Sequence, residues 1–189
     1  MPPSIHPPDL NLAHRMTVLE TERLALRRFT PDDAEFVLRL LNEPSFIENI
    51  GDKGVRTVEQ AAGYLTDGPI HSYDRHGHGL YLVEQTATGQ PIGMCGLIKR
   101  EQLADVDLGY AYVPEAWSRG YAFEAAAAVL RYGRDELGFT KTLAIVSPGN
   151  AGSIRLLEKL GFSFVELMQV APGGEDTALY ERVDPAAAL

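Results

Sequence analysis

Cysteine is almost missing. Cys95 is the only one in a chain of 189 residues, which rules out an internal disulfide and suits a reducing, cytoplasmic setting. Basic residues are also scarce: 17 Lys and Arg stand against 26 Asp and Glu, a formal charge of −9. Nonspecific nucleic-acid binding draws on basic patches, so a nucleic-acid partner is not expected. The same acidity favours solubility and, more weakly, cationic acceptors such as amines. No apolar run approaches the ~20 residues needed to cross a bilayer, so no membrane partner is expected either. The opening Met1-Pro2-Pro3-Ser4-Ile5-His6-Pro7-Pro8 has neither the basic nor the apolar region of a secretory signal. Two familiar phosphate-binding spellings are absent as well. No Gly-Lys pair exists for a P-loop, and no Gly-x-Gly-x-x-Gly follows an early strand.

What is present suits one domain around one core, with 45% of residues apolar. Residues 1–16 are proline-rich and lack periodicity, so they read as a flexible tail. A single domain over 17–184 and a frayed end over 185–189 complete the division. Thr21 to Arg27 alternates polar with apolar side chains, as one half-buried strand within Leu19 to Phe29 would. Thr30-Pro31 supplies a helix cap and first position, and Phe36, Val37, Leu40 and Leu41 form the stripe behind it. A second helix is expected over Val58 to Leu65. Leu80 to Gln85, Ile92 to Lys99 and Val106 to Val113 read as an antiparallel meander with short turns. Next come a helix from Phe123 to Leu137 stopped at Gly138, a strand over Thr142 to Val146, and a helix over Ser153 to Lys159 leaving at Gly161. Strands over Phe162 to Val170 and Thr177 to Val183 close an α+β order, with no internal repeat or linker.

The densest information lies in residues 113–125, Val-Pro-Glu-Ala-Trp-Ser-Arg-Gly-Tyr-Ala-Phe-Glu-Ala. A strand runs through a proline-marked turn into a small-residue loop and then an alanine-rich helix. Consecutive backbone N–H groups at a helix N-terminus, helped by the helix dipole, favour an anion. Gly120 and Ala122 keep side chains out of the way, and Arg119 adds a cation. Ser118, Arg119, Gly120, Tyr121 and Ala122 are therefore the candidate pyrophosphate loop.

Trp117-Ser118-Arg119-Gly120-Tyr121-Ala122 resembles the acyl-CoA loop of the GNAT N-acetyltransferases, Gln/Arg-x-x-Gly-x-Gly/Ala, with Trp117 in the first place. An aromatic there, after Pro-Glu, is similar to the branch containing the ribosomal-protein N-terminal (alanine) acetyltransferases. Asn150-Ala151-Gly152-Ser153, followed by Leu156-Leu157-Glu158-Lys159-Leu160-Gly161-Phe162, resembles that family's Asn-x-x-Ser element, helix and Leu-Gly-Phe ending. Thr21-Glu22-Arg23-Leu24 and Asp107-Leu108-Gly109-Tyr110 resemble the same branch. Several such strings in order, spanning residues 19–183, are far more specific than any one alone.

The resemblance implies the GNAT fold, a mixed and mostly antiparallel sheet of about seven strands flanked by about four helices. It implies acetyl-CoA as co-substrate, no metal, and a primary amine as acceptor, either a protein N-terminus or a small molecule. The strand ending at Val113 would splay from that at Thr142 to Val146, and the pantetheine arm would pair there with main-chain atoms of Ala111 and Val113. Ser118 to Ala122 would hold the pyrophosphate, Asn150 would bond the arm or the acceptor, and Ser153 would lie near the sulfur. A homodimer is left open.

Amide formation from a thioester needs a neutral amine, a fixed donor for the oxyanion, and a proton for the departing thiolate. The donor is expected to be a backbone N–H near Val113. No acyl-enzyme is needed, so no nucleophile is demanded. Asp107 is the first choice of general base, ahead of Glu101 and Glu84, and Ser153 is the candidate acid. Plainer roles compete: a structurally paired strand residue for Asp107, a helix cap for Asn150, a first-turn hydroxyl for Ser153. Trp117 either stacks near the cofactor or anchors its loop. His71, His76 and His78 beside Asp74 lack zinc-type spacing, and Gly77 and Gly79 suggest an irregular loop that serves the acceptor. Cys95 reads as a buried small hydrophobe. Two rivals from other classes are a CoA-binding regulatory or scaffold domain without turnover and a nucleotide-dependent transferase.

Overall fold

A computed structural model describes residues 17–170 and 172–185. The expected proline-rich tail and most of the expected frayed end lie outside these residues. One sheet of eight strands runs in the order β1-β2-β3-β4-β5-β6-β8-β7. The strands are β1 Thr17–Glu20, β2 Leu24–Arg27, β3 Leu80–Gln85, β4 Pro91–Ile98, β5 Asp107–Tyr112, β6 Lys141–Val146, β7 Ser163–Gln169 and β8 Asp176–Val183. Every neighbouring pair is antiparallel except β5 and β6. That parallel pair needs a crossover, and the helix α5 Tyr121–Asp135 supplies it. The other helices are α1 Ala34–Leu41, α2 Pro44–Asn49, α3 Val58–Leu65, α4 His71–His76 and α6 Ala151–Lys159.

The fold class is the one the resemblance implies, with two local differences. The single strand expected over Leu19 to Phe29 is a hairpin. Thr21 N–H bonds the Leu24 carbonyl at 2.8 Å, and Leu24 N–H bonds the Thr21 hydroxyl at 3.0 Å, so the chain reverses between β1 and β2. Alternation continues through that reversal, so the pattern alone does not reveal it. The histidine-bearing segment is helical rather than an irregular loop. Pro69 has no N–H to give the carbonyl four residues back, and Thr66–Ile70 widens into a π-type turn closed by His71 N–H on Thr66 O. The helix thus runs on from α3 into α4 and stops at Gly77, whose φ is +77°.

The core packs Leu24, Leu26, Val37, Leu65, Leu82 and Val129 with no exposed surface. Cys95 is equally buried, and burial pushes its thiol up to about 12. Gly96 is needed for close approach: a Cβ there would lie 2.0 Å from the Gly79 carbonyl oxygen. Asn150 caps the start of α6, and Arg182 donates to the Leu160 carbonyl at its end, at 2.7 Å. Among the described residues no helix is long and apolar enough to cross a membrane.

Candidate functional site

Strands β5 and β6 meet at a single point. Asp107 pairs with Leu143, and Leu143 N–H bonds the Val106 carbonyl at 2.8 Å. Each strand is otherwise committed to its outer neighbour, β5 to β4 and β6 to β8. Beyond Asp107 the two diverge into an open V, a cleft of about 1840 Å³ lined by Tyr110, Tyr112, Ala144 and Ser153 among others.

The register decides which main-chain groups face this gap. Val113 N–H donates to the Ile92 carbonyl at 3.0 Å, and Met94 lies opposite Ala111. In an antiparallel ladder alternate residues bond to the same neighbour, so Ala111 and Val113 both turn their polar groups toward β4. The expected pairing of these two residues with an incoming arm is thereby corrected, and of the N–H groups near Val113 the one that faces the gap is that of Tyr112. Tyr110 and Tyr112 turn their main chain into the V instead. The Tyr112 carbonyl is occupied by the Trp117 indole N–H at 3.0 Å. Trp117 therefore anchors the loop, although its ring is 50% exposed.

That loop closes the mouth of the V. After the short turn Pro114–Ala116, Ser118 and Gly120 adopt φ of +58° and +79°. The first bond of α5 runs from Glu124 N–H to Gly120 O at 3.0 Å. The N–H groups from Ser118 to Phe123 make no bond within the described residues, and successive free N–H groups in such a bend form an anion-binding concavity. Gly120 takes the left-handed conformation without a Cβ penalty, while Ser118 bears some strain. Arg119 makes no ion pair among the described residues.

Near the vertex, Asn150 Oδ1 accepts from Ser153 N–H at 3.1 Å, so Asn150 serves as the cap of α6. The Ser153 hydroxyl and the Tyr110 hydroxyl are 2.7 Å apart. Burial pushes the Tyr110 phenol up to about 12, against the pull of Ser153. Tyr110 stands in the string Asp107-Leu108-Gly109-Tyr110, but nothing in the sequence points to a partner for it. Ser153 reaches it across the V from α6.

Asp107 is 1% exposed, and the Arg100 Nε–H donates to both its oxygens at 3.0 Å. Burial pushes this carboxyl up, and the Arg100 guanidinium works against that shift without cancelling it. Glu84 is committed to Arg27, which also holds Asp33. Glu101 is exposed on the cleft rim. His78 is buried, with Nδ1 at 2.8 Å from the Leu97 carbonyl and its ring against the edge of Phe139, while His71 and His76 line the cleft. Among the described residues no group of three His, Cys, Asp or Glu could hold a metal ion.

Comparison with known proteins gives a consistent picture. The family model of the acetyltransferase (GNAT) domain matches residues 23–163. The N-acetyltransferase YoaA of Bacillus subtilis, itself uncharacterized, is 31% identical over 77% of this chain and 82% of its own. A GNAT-family acetyltransferase structure from Bacillus anthracis is 25% identical, covers 87% of this chain and 97% of its own, and superposes with a TM-score of 0.73. The ribosomal L7/L12 α-N-protein acetyltransferase RimL, in complex with coenzyme A, has a TM-score of 0.76 over 89% of this chain and 98% of its own. At 16% identity, that last likeness speaks to the fold alone.

Proposed function

Because the chain belongs to the GNAT acetyltransferase family, we propose that it moves an acetyl group from acetyl-CoA to a primary amine by direct attack, without an acyl-enzyme. The observation that carries this reading is the V between β5 and β6 with an unpaired N–H loop at its mouth. The pyrophosphate sits on Ser118 to Ala122 with Arg119 beside it. The pantetheine arm lies along β5, bonded by the main chain of Tyr110 and Tyr112 rather than that of Ala111 and Val113. Its thioester lies toward the vertex marked by Asp107, with the Tyr110–Ser153 pair also on the cleft lining. Asn150 acts chiefly by holding Ser153 at the start of α6.

In the transfer, the neutral amine attacks the carbonyl carbon and the oxyanion is met by a cleft-facing N–H of β5. The carbon–sulfur bond then breaks. Asp107 takes the proton from the amine, directly or through one water. Its raised affinity for protons suits a base better than that of an exposed Asp, although Arg100 must let one lone pair reach the substrate. Ser153 gives a hydrogen bond to the departing thiolate and Tyr110 donates into Ser153 Oγ from behind; the thiolate then takes a proton from solvent, to which Asp107 returns its own. The acceptor is a peptide α-amine or a small amine, entering from the side of α2 and α4. A cleft of about 1840 Å³ exceeds the ~300–1,000 Å³ of ordinary small-molecule sites, which leaves room for coenzyme and acceptor together.

The test is coenzyme A release with acetyl-CoA across a panel of peptides and amines, repeated on Asp107→Asn and Ser153→Ala. Turnover is expected to fall by about a hundredfold in the first and about tenfold in the second, with CoA affinity retained. Unchanged rates in both variants would remove these two roles. Tight CoA binding with no release across the whole panel would favour a domain without turnover.

A further inference from the structure

Thr21-Glu22-Arg23-Leu24 lies at the hairpin turn between β1 and β2, remote in sequence from the anion-binding loop and in contact with it. The Arg23 N–H and Nε–H donate to the Glu124 carboxylate at 2.9 and 2.7 Å, and the Thr21 hydroxyl adds a third bond at 2.6 Å. Another arm of the same guanidinium donates to the Arg119 carbonyl at 2.9 Å. The guanidinium also lies over the Tyr121 ring, 4.6 Å from its centroid. A Cβ on Gly120 would stand 3.3 Å from Arg23 Nη2. We infer that Arg23, backed by Glu124, is a positioning residue that sets the loop for the diphosphate of acetyl-CoA. The inference rests on the acyl-CoA reading of that loop.

The reason is the geometry of one peptide unit. The Arg119–Gly120 bond is trans, so its C=O and N–H point opposite ways. Fixing the carbonyl on Arg23 aims the Gly120 N–H to the other side, away from the clamp. Gly120 on one side of this peptide and Ser118 one residue before it have positive φ, a conformation with open alternatives, and the clamp selects one before any ligand arrives. Preorganisation of this kind lowers the cost of binding. Charge acts in the same direction. Glu124 is in the first turn of α5, where a bare carboxylate would repel a diphosphate, and Arg23 compensates it. The planar guanidinium holds the carboxylate and the carbonyl with separate arms in a fixed geometry, whereas an ammonium is a point charge on a flexible stem, so lysine is a poorer substitute.

The experiment compares acetyl-CoA with acetyl-pantetheine, a thioester lacking the diphosphate, in wild type, Arg23→Gln, Arg23→Lys and Glu124→Gln. CoA affinity is measured by calorimetry alongside. In Arg23→Gln the CoA Kd and the acetyl-CoA KM are expected to rise on the order of tenfold, with a smaller change in kcat, and Arg23→Lys falls between. Acetyl-pantetheine kcat/KM should move by less than about twofold. Equal losses with both thioesters would reduce Arg23 to fold support and overturn the inference. So would unchanged CoA affinity in Arg23→Gln when the wild type binds CoA. Should Arg23→Gln fail to fold, the same ratio is read on Arg23→Lys and Glu124→Gln. A wild-type protein that does not bind CoA brings down the loop reading itself, and this inference with it.

Discussion

Tyr112 carries two unrelated duties on one residue. Its carbonyl anchors Trp117 at the cleft, while its hydroxyl is buried with no hydrogen-bond partner among the described residues. The Cys95 thiol next to it is a weak partner at best. Leaving a buried hydroxyl unpaired costs about 1–3 kcal/mol, so Tyr112→Phe is expected to stabilise the protein by about 1 kcal/mol in urea unfolding. A clear loss of stability would mean that the thiol contact is a real hydrogen bond. At this scale the bend at Ser118 to Gly120 and the start of α5 were legible from the sequence, because Gly120 takes a positive φ at no cost just before an alanine-rich run. The direction of a backbone N–H was not legible. Ala111 and Val113 looked suitable as donors, and only the partner strand β4 shows that their groups are spent.

Between elements, the junction of the first hairpin with α5 rests on Glu124. Burial pushes its carboxyl up, but the bonds from Thr21 and Arg23 outweigh that and leave it below its ordinary value. A depressed carboxyl adds stability above its unfolded pKa and loses it as pH falls through the folded value. Glu124→Gln is therefore expected to cost about 1–2 kcal/mol at pH 7, allowing for the partial exposure of Arg23. The gap to wild type should close below about pH 4 in thermal or urea unfolding. A gap that persists in acid would assign the loss to packing. The hairpin itself escaped the sequence because β1 and β2 share one alternating pattern, and the turn is made by the hydroxyl and main chain of Thr21 without glycine or proline. The helical histidine segment escaped for the opposite reason. Pro69 and the glycines around it look like loop residues, yet a wide turn lets the helix run on past them.

For the whole molecule, the cleft lies where the sheet parts into two halves. Strands β5 and β6 pair at Asp107 and Leu143, and the opening beyond that point separates β1 to β5 from β6 to β8. Coenzyme A that binds this opening and not the unfolded chain should stabilise the fold by about 2.7 kcal/mol at a hundred times its Kd. A thermal-shift titration measures that rise. Protection by ATP but not by coenzyme A would sink the acyl-CoA reading and favour a nucleotide.

Local chemistry along the chain was enough to announce most strands, most helices, the turn into α5 and the capped start of α6. Each depends on residues within a turn or two of one another. Distant contacts governed the rest. That Ser153 meets Tyr110, that Arg100 holds Asp107, and that Arg23 braces the loop all follow from the way the sheet and helices pack. Side-chain periodicity records which face a residue takes, but not which residue it will find there.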